Sequence, residues 1–255
     1  MSTILKTVED DVLHISLNRP EVRNAFNAEM IAEVTESFSS ISQRAVVLSG
    51  EGKAFCAGGD LEWMRSSIDY TEEQNLADAK RLAEMFTAID TCPCPVIGKV
   101  HGAAFGGGLG LLCVCDVVVA AEETKFCFSE VKLGLAPAVI SSFAIAKIGP
   151  GQARRYFITS EVFGPEIAKD LGLVHEIASV DALDSTAADL LSAVRQGGPN
   201  AVEEAKCLIR AIAEKPQDAL DLSAASIAKL RVSAEGQEGV RAFLEKRKPA
   251  WTSGG

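Results

Sequence analysis

Three short stretches of this chain carry residue types that could do chemistry. HGAAFGGGLGLLCVCD places Gly106, Gly107, Gly108 and Gly110 at the start of an otherwise good buried helix, where each glycine costs about 1 kcal/mol relative to alanine. One compensation is close approach of a ligand to the unpaired NH groups of a helix N-terminus, a natural site for developing negative charge. The other is tight packing of the helix against a neighbouring strand, and the glycines alone leave both open. KAFCAGGDLEWM, residues 53 to 64, exposes backbone again at Ala57, Gly58 and Gly59, just before Asp60. Two such loops, each following a strand of one sheet, can aim one NH apiece at a common oxygen. FCFSEVKLGLAPA, residues 126 to 138, sets Glu130 after a short strand among apolar neighbours. There a carboxyl holds its proton more tightly and can act as acid or base near neutral pH; plain surface exposure or pairing with Lys132 is the alternative.

Other chemistries lack their patterns. GGGLG is no clean GxGxxG and no GK[ST] follows it, so a nucleotide-phosphate loop is not matched. A GxSxG nucleophile elbow is absent. The seven cysteines form an odd set, and the CxC spacing of Cys92/Cys94 and Cys113/Cys115 differs from the CxxC of structural zinc sites. Small buried thiols in a reducing compartment are expected, with no metal. His14, His101 and Cys56 lie close to the motifs, and packing or backbone support is expected of each. A formal charge of −10 argues against nucleic acid. The apolar runs at 106–115 and 117–121 are too short to span a bilayer, and the N-terminus shows no export signal. A cytoplasmic protein without membrane contact is expected.

The elements that must position these loops follow from periodicity. Residues 11–18 alternate as a half-buried strand, and Asn27 caps a helix carrying Met30, Ile31, Val34, Phe38 and Ile41 on one stripe. Continuous apolar strands at 45–49, 96–100 and 117–121 suit a sheet buried on both faces, with helical patterns at 71–90 and 107–115 between them. After Gly197, Gly198 and Pro199 the pattern is wholly helical: 199–214, 219–230 and 237–248. An α/β core over residues 1–195 with a helical region over 196–255 is expected.

In order along the chain, NRPEVRNAF, AFCAGGDL, HGAAFGGGLGL with CDVVVAAE, FSEVKLGLAPA and EGVRAFLEKRKPAW resemble the crotonase, or enoyl-CoA hydratase/isomerase, superfamily. The resemblance implies a spiral of ββα units, a helical C-terminal trimerisation region, homotrimers or hexamers, and acyl-CoA thioesters as substrates, with no cofactor beyond the coenzyme A of the substrate. It implies an oxyanion hole from the NH groups of Ala57 and Gly107 and an acid/base at Glu130. It sets Arg23, Ala25, Lys53, Gly58, Gly59, Asp60, Leu61 and Gly106 near the substrate or its CoA, with Phe243 and Lys246 reaching CoA across a subunit interface. Two-glutamate hydratases carry a second glutamate where this chain has Gly110. The finer texture resembles hydratases of branched dicarboxylyl-CoA esters of the methylglutaconyl and isohexenylglutaconyl type, from leucine or terpene breakdown, with a substrate carboxylate positioning water in space left by Gly110. The alternatives are a Δ3,Δ2-enoyl-CoA isomerase working through Glu130 alone and an acyl-CoA-binding protein without catalysis.

Overall fold

A computed structural model describes residues 2–252. The chain opens with β1 (Ile4–Glu9) and β2 (Val12–Leu17), an antiparallel pair, then α1 (Ala28–Phe38). Asn27 caps α1 as expected, its side-chain oxygen accepting the Met30 NH at 2.9 Å. β3 (Ala45–Gly50), α2 (Leu61–Ser66) and α3 (Glu72–Asp90) follow, then β4 (Val96–Val100), β5 (Ala103–Phe105), α4 (Gly107–Cys113), β6 (Val117–Ala121) and β7 (Lys125–Cys127). The remainder is α5 (Ser141–Thr159), α6 (Pro165–Asp170), β8 (Glu176–Ala178) and α7 (Leu183–Gln196), then α8 (Pro199–Glu214), α9 (Ala219–Val232) and α10 (Ala234–Leu244). α10 begins three residues before the expected Gln237 because Ser233 caps it, accepting from the Gly236 NH at 3.0 Å.

The main sheet runs β1-β2-β3-β4-β6-β8 and is parallel from β2 onward. Its inner strands β3, β4 and β6 read as continuous apolar runs because both faces are covered. One face meets the large core around Leu48, Val96, Val118 and Phe86. The other meets α7, where Leu183 and Leu191 pack with Val47, Ile97 and Val119. Alternate residues of β3, β4 and β6 thus enter different cores.

A second, smaller layer escaped the periodicity reading because its strands are three residues long, below what alternation can register. β5 and β7 pair in parallel, and isolated bridges extend the layer: Phe26 with Gly59, Cys56 with Ala104, and Phe126 with Phe163. The chain therefore winds as a spiral. Each turn passes through the main sheet, then this small layer, then a helix, which is the repeated ββα architecture expected. Helices α8 to α10 form the C-terminal region. Among the described residues no helix is long and apolar enough to cross a membrane.

Candidate active site

Three successive turns of the spiral end their small-layer strands side by side. Cys56 pairs with Ala104 and β5 with β7, so the segments leaving them lie together: Ala57–Gly59 after Cys56, Gly106–Gly107 after β5, and Ser129–Glu130 after β7. All three border one cavity of about 330 Å³. The register is held by backbone bonds, Phe105 NH to the Cys56 carbonyl at 3.0 Å and Gly106 NH to the Cys127 carbonyl at 2.9 Å.

The turn into α4 requires glycine. Gly106 has φ +51°, and a Cβ there would sit 3.3 Å from Glu130 Oε1. The other glycines of the run are explained mainly by packing. A Cβ at Gly107 would meet Phe26 Cε2 at 2.6 Å, at Gly108 the Cys56 carbonyl oxygen, and at Gly110 Ile140 Cγ2. Both readings of the cluster hold together, since Gly107 is also the first residue of α4 and its NH has no acceptor among the described residues.

The loop at 57–59 corrects an expectation. The Ala57 NH donates to the Arg23 carbonyl at 3.0 Å, so it is spent on holding two loops together. Gly59 stands in its place. Phe26 bridges to the residues on either side, its NH donating to Gly58 O at 2.7 Å and its carbonyl accepting from Asp60 NH at 2.8 Å. In such a parallel bridge the central residue turns its own NH the other way. Gly59 lines the cavity, and no acceptor for its NH exists among the described residues. The sequence motif located the loop but not the residue, because alternate amides of an extended segment point in opposite directions.

Glu130 begins a single 3-10 turn, Glu130–Leu133, and is half-buried. Its Oε2 is buried without a hydrogen-bond partner. Lys132 does not pair with it; that ammonium lies instead 3.9 Å from Cys127 Sγ. Burial pushes the Glu130 carboxyl above its usual range, opposed in part by the backbone amides of Glu130 and Ser129. A buried oxygen without a donor is costly.

Gly110 leaves no space. Its face is closed by Ile140 Cγ2, 2.4 Å from where a Cβ would stand, and by the Phe86 ring at 3.0 Å. The expectation that a substrate carboxylate and a water occupy that position fails on this packing.

The remaining expected residues spread around the cavity. Gly58 and Gly59 line it; Arg23, Ala25, Lys53, Asp60 and Leu61 do not. Arg23 and Lys53 are exposed, Leu61 is 77% exposed, and Ala25 is buried. Asp60 is committed to the protein: Oδ1 caps α2 through the Glu62 and Trp63 amides at 2.7 and 3.3 Å, and Oδ2 pairs with Arg19 at 2.8 Å. Burial alone would raise its carboxyl, but those amides and Arg19 outweigh burial and hold it below the usual range. Phe243, 82% exposed, and Lys246 lie at the end of α10 and do not line this chain's cavity. His101 supports backbone through the Gly52 carbonyl at 2.9 Å, and the Cys56 thiol does so through Asn24 O at 3.0 Å. Burial pushes the Cys56 thiol up to about 12, against the Gly58 amide, which rules it out as a neutral-pH nucleophile.

Cavity residues missed from the sequence come from α2 and α3. Trp63 and Met64 stand on one, Asp78 and Leu82 on the other. A signal was present: Asp78 precedes Leu82 by four and Met85 by seven, so it interrupts the apolar stripe of α3.

The description that matches residues 7–254 of this chain is enoyl-CoA hydratase/isomerase. A protein of Alternaria alternata described as enoyl-CoA hydratase AKT6-1 is 35% identical over 243 residues, covering 92% of this chain and 79% of that protein. The crystal structure of an enoyl-CoA hydratase from Shewanella pealeana superposes with a TM-score of 0.93 at 41% identity, covering 98% of this chain and 96% of that one. Pseudomonas aeruginosa AtuE superposes with a TM-score of 0.94 at 36% identity, over 98% of this chain and 100% of the other.

Proposed function

We propose that this chain, which belongs to the enoyl-CoA hydratase/isomerase family and has the crotonase fold, adds water across the double bond of an α,β-unsaturated acyl-CoA. The observation that carries the reading is the shared cavity of Glu130, with its unpartnered buried oxygen, and the unspent NH groups of Gly59 and Gly107. Two backbone donors suit a thioester carbonyl that becomes an enolate, because they need no reorganisation as charge develops. Glu130 then takes a proton from water as the hydroxyl joins Cβ and returns that proton to Cα. One water is added, and the carboxylate ends as it began. The reading needs no cofactor, coenzyme A being part of the substrate.

A second reading is favoured by one observation: the position of a second glutamate is glycine, and it is packed shut. A single carboxylate suffices to take a proton from Cα and return it at Cγ, which is double-bond isomerisation. The relatives named as hydratases weigh toward water addition. A panel of 2-enoyl- and 3-enoyl-CoA esters with product identification separates the two. Retained acyl-CoA binding without any product would instead support the non-catalytic alternative.

The branched dicarboxylyl substrate expected from sequence texture finds no support in the cavity walls. Among the described residues they carry Glu130 and Asp78 and no lysine, arginine or histidine, so a second substrate carboxylate would meet like charge. Crotonyl-CoA turning over at least as well as 3-methylglutaconyl-CoA is the expected result. The reading also takes the chain to be a cytoplasmic enzyme assembling as trimers or dimers of trimers through α8 to α10, which leave Leu220, Val232, Phe243 and Leu244 uncovered in the single chain. Phe243 and Lys246 could then complete the CoA site of a neighbouring copy.

A further inference from the structure

The wall of the cavity formed by α3 and the turn before it is polar in one sense only. Ser67, Asn75 and Asp78 line it. The Ser67 hydroxyl donates its proton to the Met64 carbonyl at 2.8 Å. The Asn75 amide nitrogen donates to the Tyr70 and Thr71 carbonyls at 3.3 and 3.2 Å, which fixes the amide so that its oxygen is the free end. Asp78 is 8% exposed, and Oδ1 accepts from Arg81 at 2.8 Å. Its Oδ2 has no partner among the described residues. Every donor on this wall is already used, and what remains is a set of acceptors.

From this we infer that the cavity selects acyl chains carrying a hydrogen-bond donor, a hydroxyl or an amide NH, with Asp78 as the specificity-determining residue. The inference rests on the acyl-CoA reading above. The residues assigned to the CoA carrier, Arg23, Lys53 and Leu61, lie off the cavity, which leaves the cavity to the acyl group. Phe26 meets Gly107 and stacks edge-on against Phe86, the ring that also closes over Gly110. Asp78 lies eight residues before Phe86 on the same helix, about 12 Å along its axis. The polar wall therefore meets the distal part of a chain whose carbonyl sits at the glycine loops. Between them the walls are mostly apolar, from Met64, Leu82, Val139 and the ring of Trp63, whose indole NH has no acceptor among the described residues. Arg81 cannot serve a substrate carboxylate, because its side chain is 60% exposed, does not line the cavity and is tied to Asp78.

The test is calorimetric binding of saturated esters, which can be neither hydrated nor isomerised: hexanoyl-CoA, 6-hydroxyhexanoyl-CoA and adipoyl-CoA, with octanoyl-CoA and 8-hydroxyoctanoyl-CoA for reach. At the length that reaches the wall, the hydroxy ester should bind about 10- to 100-fold more tightly than the plain one, as expected of a hydrogen bond to a charged group. Asp78→Leu should erase that ratio. Asp78→Asn, which keeps an acceptor and the side-chain shape, should retain part of it and admit adipoyl-CoA. Equal binding of plain and hydroxy esters at both lengths overturns the inference, as does adipoyl-CoA binding most tightly to the unsubstituted protein. So does an Asp78→Leu protein that loses the same factor for every ligand, which would assign the donors to the pantetheine amides common to all. Failure of the hydratase reading would show separately, as 2-enoyl esters that yield no product.

Discussion

Replacing Gly110 by alanine asks whether the place of a second glutamate is space or packing. The added methyl would stand 2.4 Å from Ile140 Cγ2 and 3.0 Å from the edge of the Phe86 ring. Overpacking of this kind costs about 1–3 kcal/mol. Alanine in place of glycine inside a helix returns about 1 kcal/mol. Gly110→Ala alone should therefore destabilise by roughly 0–2 kcal/mol. Ile140→Ala alone should cost about 2–5 kcal/mol as a buried truncation. With Ile140 truncated, the worst contact is gone and the ring edge must give by only a few tenths of an ångström. In that background Gly110→Ala should stabilise by about 1 kcal/mol, the helix term standing alone. The coupling between the two sites is then about 1–3 kcal/mol, well above the error of additive sites. Urea unfolding of the four proteins, with m-values compared, measures it. Gly110→Ala stabilising by the full helix term in the otherwise unsubstituted protein would mean that the position is open. That result would restore the idea that water or a substrate group occupies it.

Three further outcomes follow from the site. Glu130→Gln should abolish turnover while acyl-CoA binding persists, and it should raise stability at neutral pH: a carboxyl whose folded pKa is raised releases its proton less readily when folded, so stability falls as pH rises through that value. The same raised carboxyl sets the acid limb of kcat/KM above the usual carboxylate range; a limb within that range, or a less stable Gln variant, contradicts the burial argument. Gly59→Pro and Gly107→Pro each remove one candidate oxyanion donor and should cut kcat about 100- to 1,000-fold; circular dichroism must first show that they fold, because a Cβ at Gly107 presses on Phe26 although a first helical position has no hydrogen bond to lose to proline. Arg19→Met strands the buried Asp60 carboxylate and should cost about 3–5 kcal/mol near neutral pH. Because the folded Asp60 pKa is depressed, that contribution is present above the unfolded value and disappears as pH falls through the folded one, so acid titration of stability in the two proteins should converge at low pH.

What could be read from the sequence divides along physical lines. Four main-sheet strands and the helices α1, α3, α4 and α8 to α10 announce themselves because burial on two faces or one stripe writes a period into many residues, as in Val117–Ala121 or α1. By contrast β1, exposed beyond Ile4, and β8, three residues long, carry no such period, and α2 and α5 to α7 went unread. The small layer does not, because bridges such as Cys56 with Ala104 engage one residue at a time. The site inherits that blindness. Its loops were legible as glycine runs and its carboxyl as a charge among apolar residues. The choice of amide was not, since Ala57 and Gly59 differ only in which side of an extended segment their NH groups face. Gly110 was legible as a departure, but its meaning depended on Ile140 and Phe86, 30 and 24 residues away in sequence.

That packing changes what the missing carboxylate implies about catalysis. An open position would let a water or a substrate group restore the lost function, and the chemistry would then depend on the substrate. A closed one leaves Glu130 as the single proton carrier near the glycine loops, so any water must be held through Glu130 itself or through the thioester. With that position filled, the open cavity reaches α3, where Asp78 stands on a face that otherwise packs apolar residues. Asp78 Oδ2 is left without a protein partner there, and an apolar chain that displaced its water would leave it unpaired. A chain that brings its own donor avoids that loss, which links the filled space at Gly110 to the selectivity expected at Asp78.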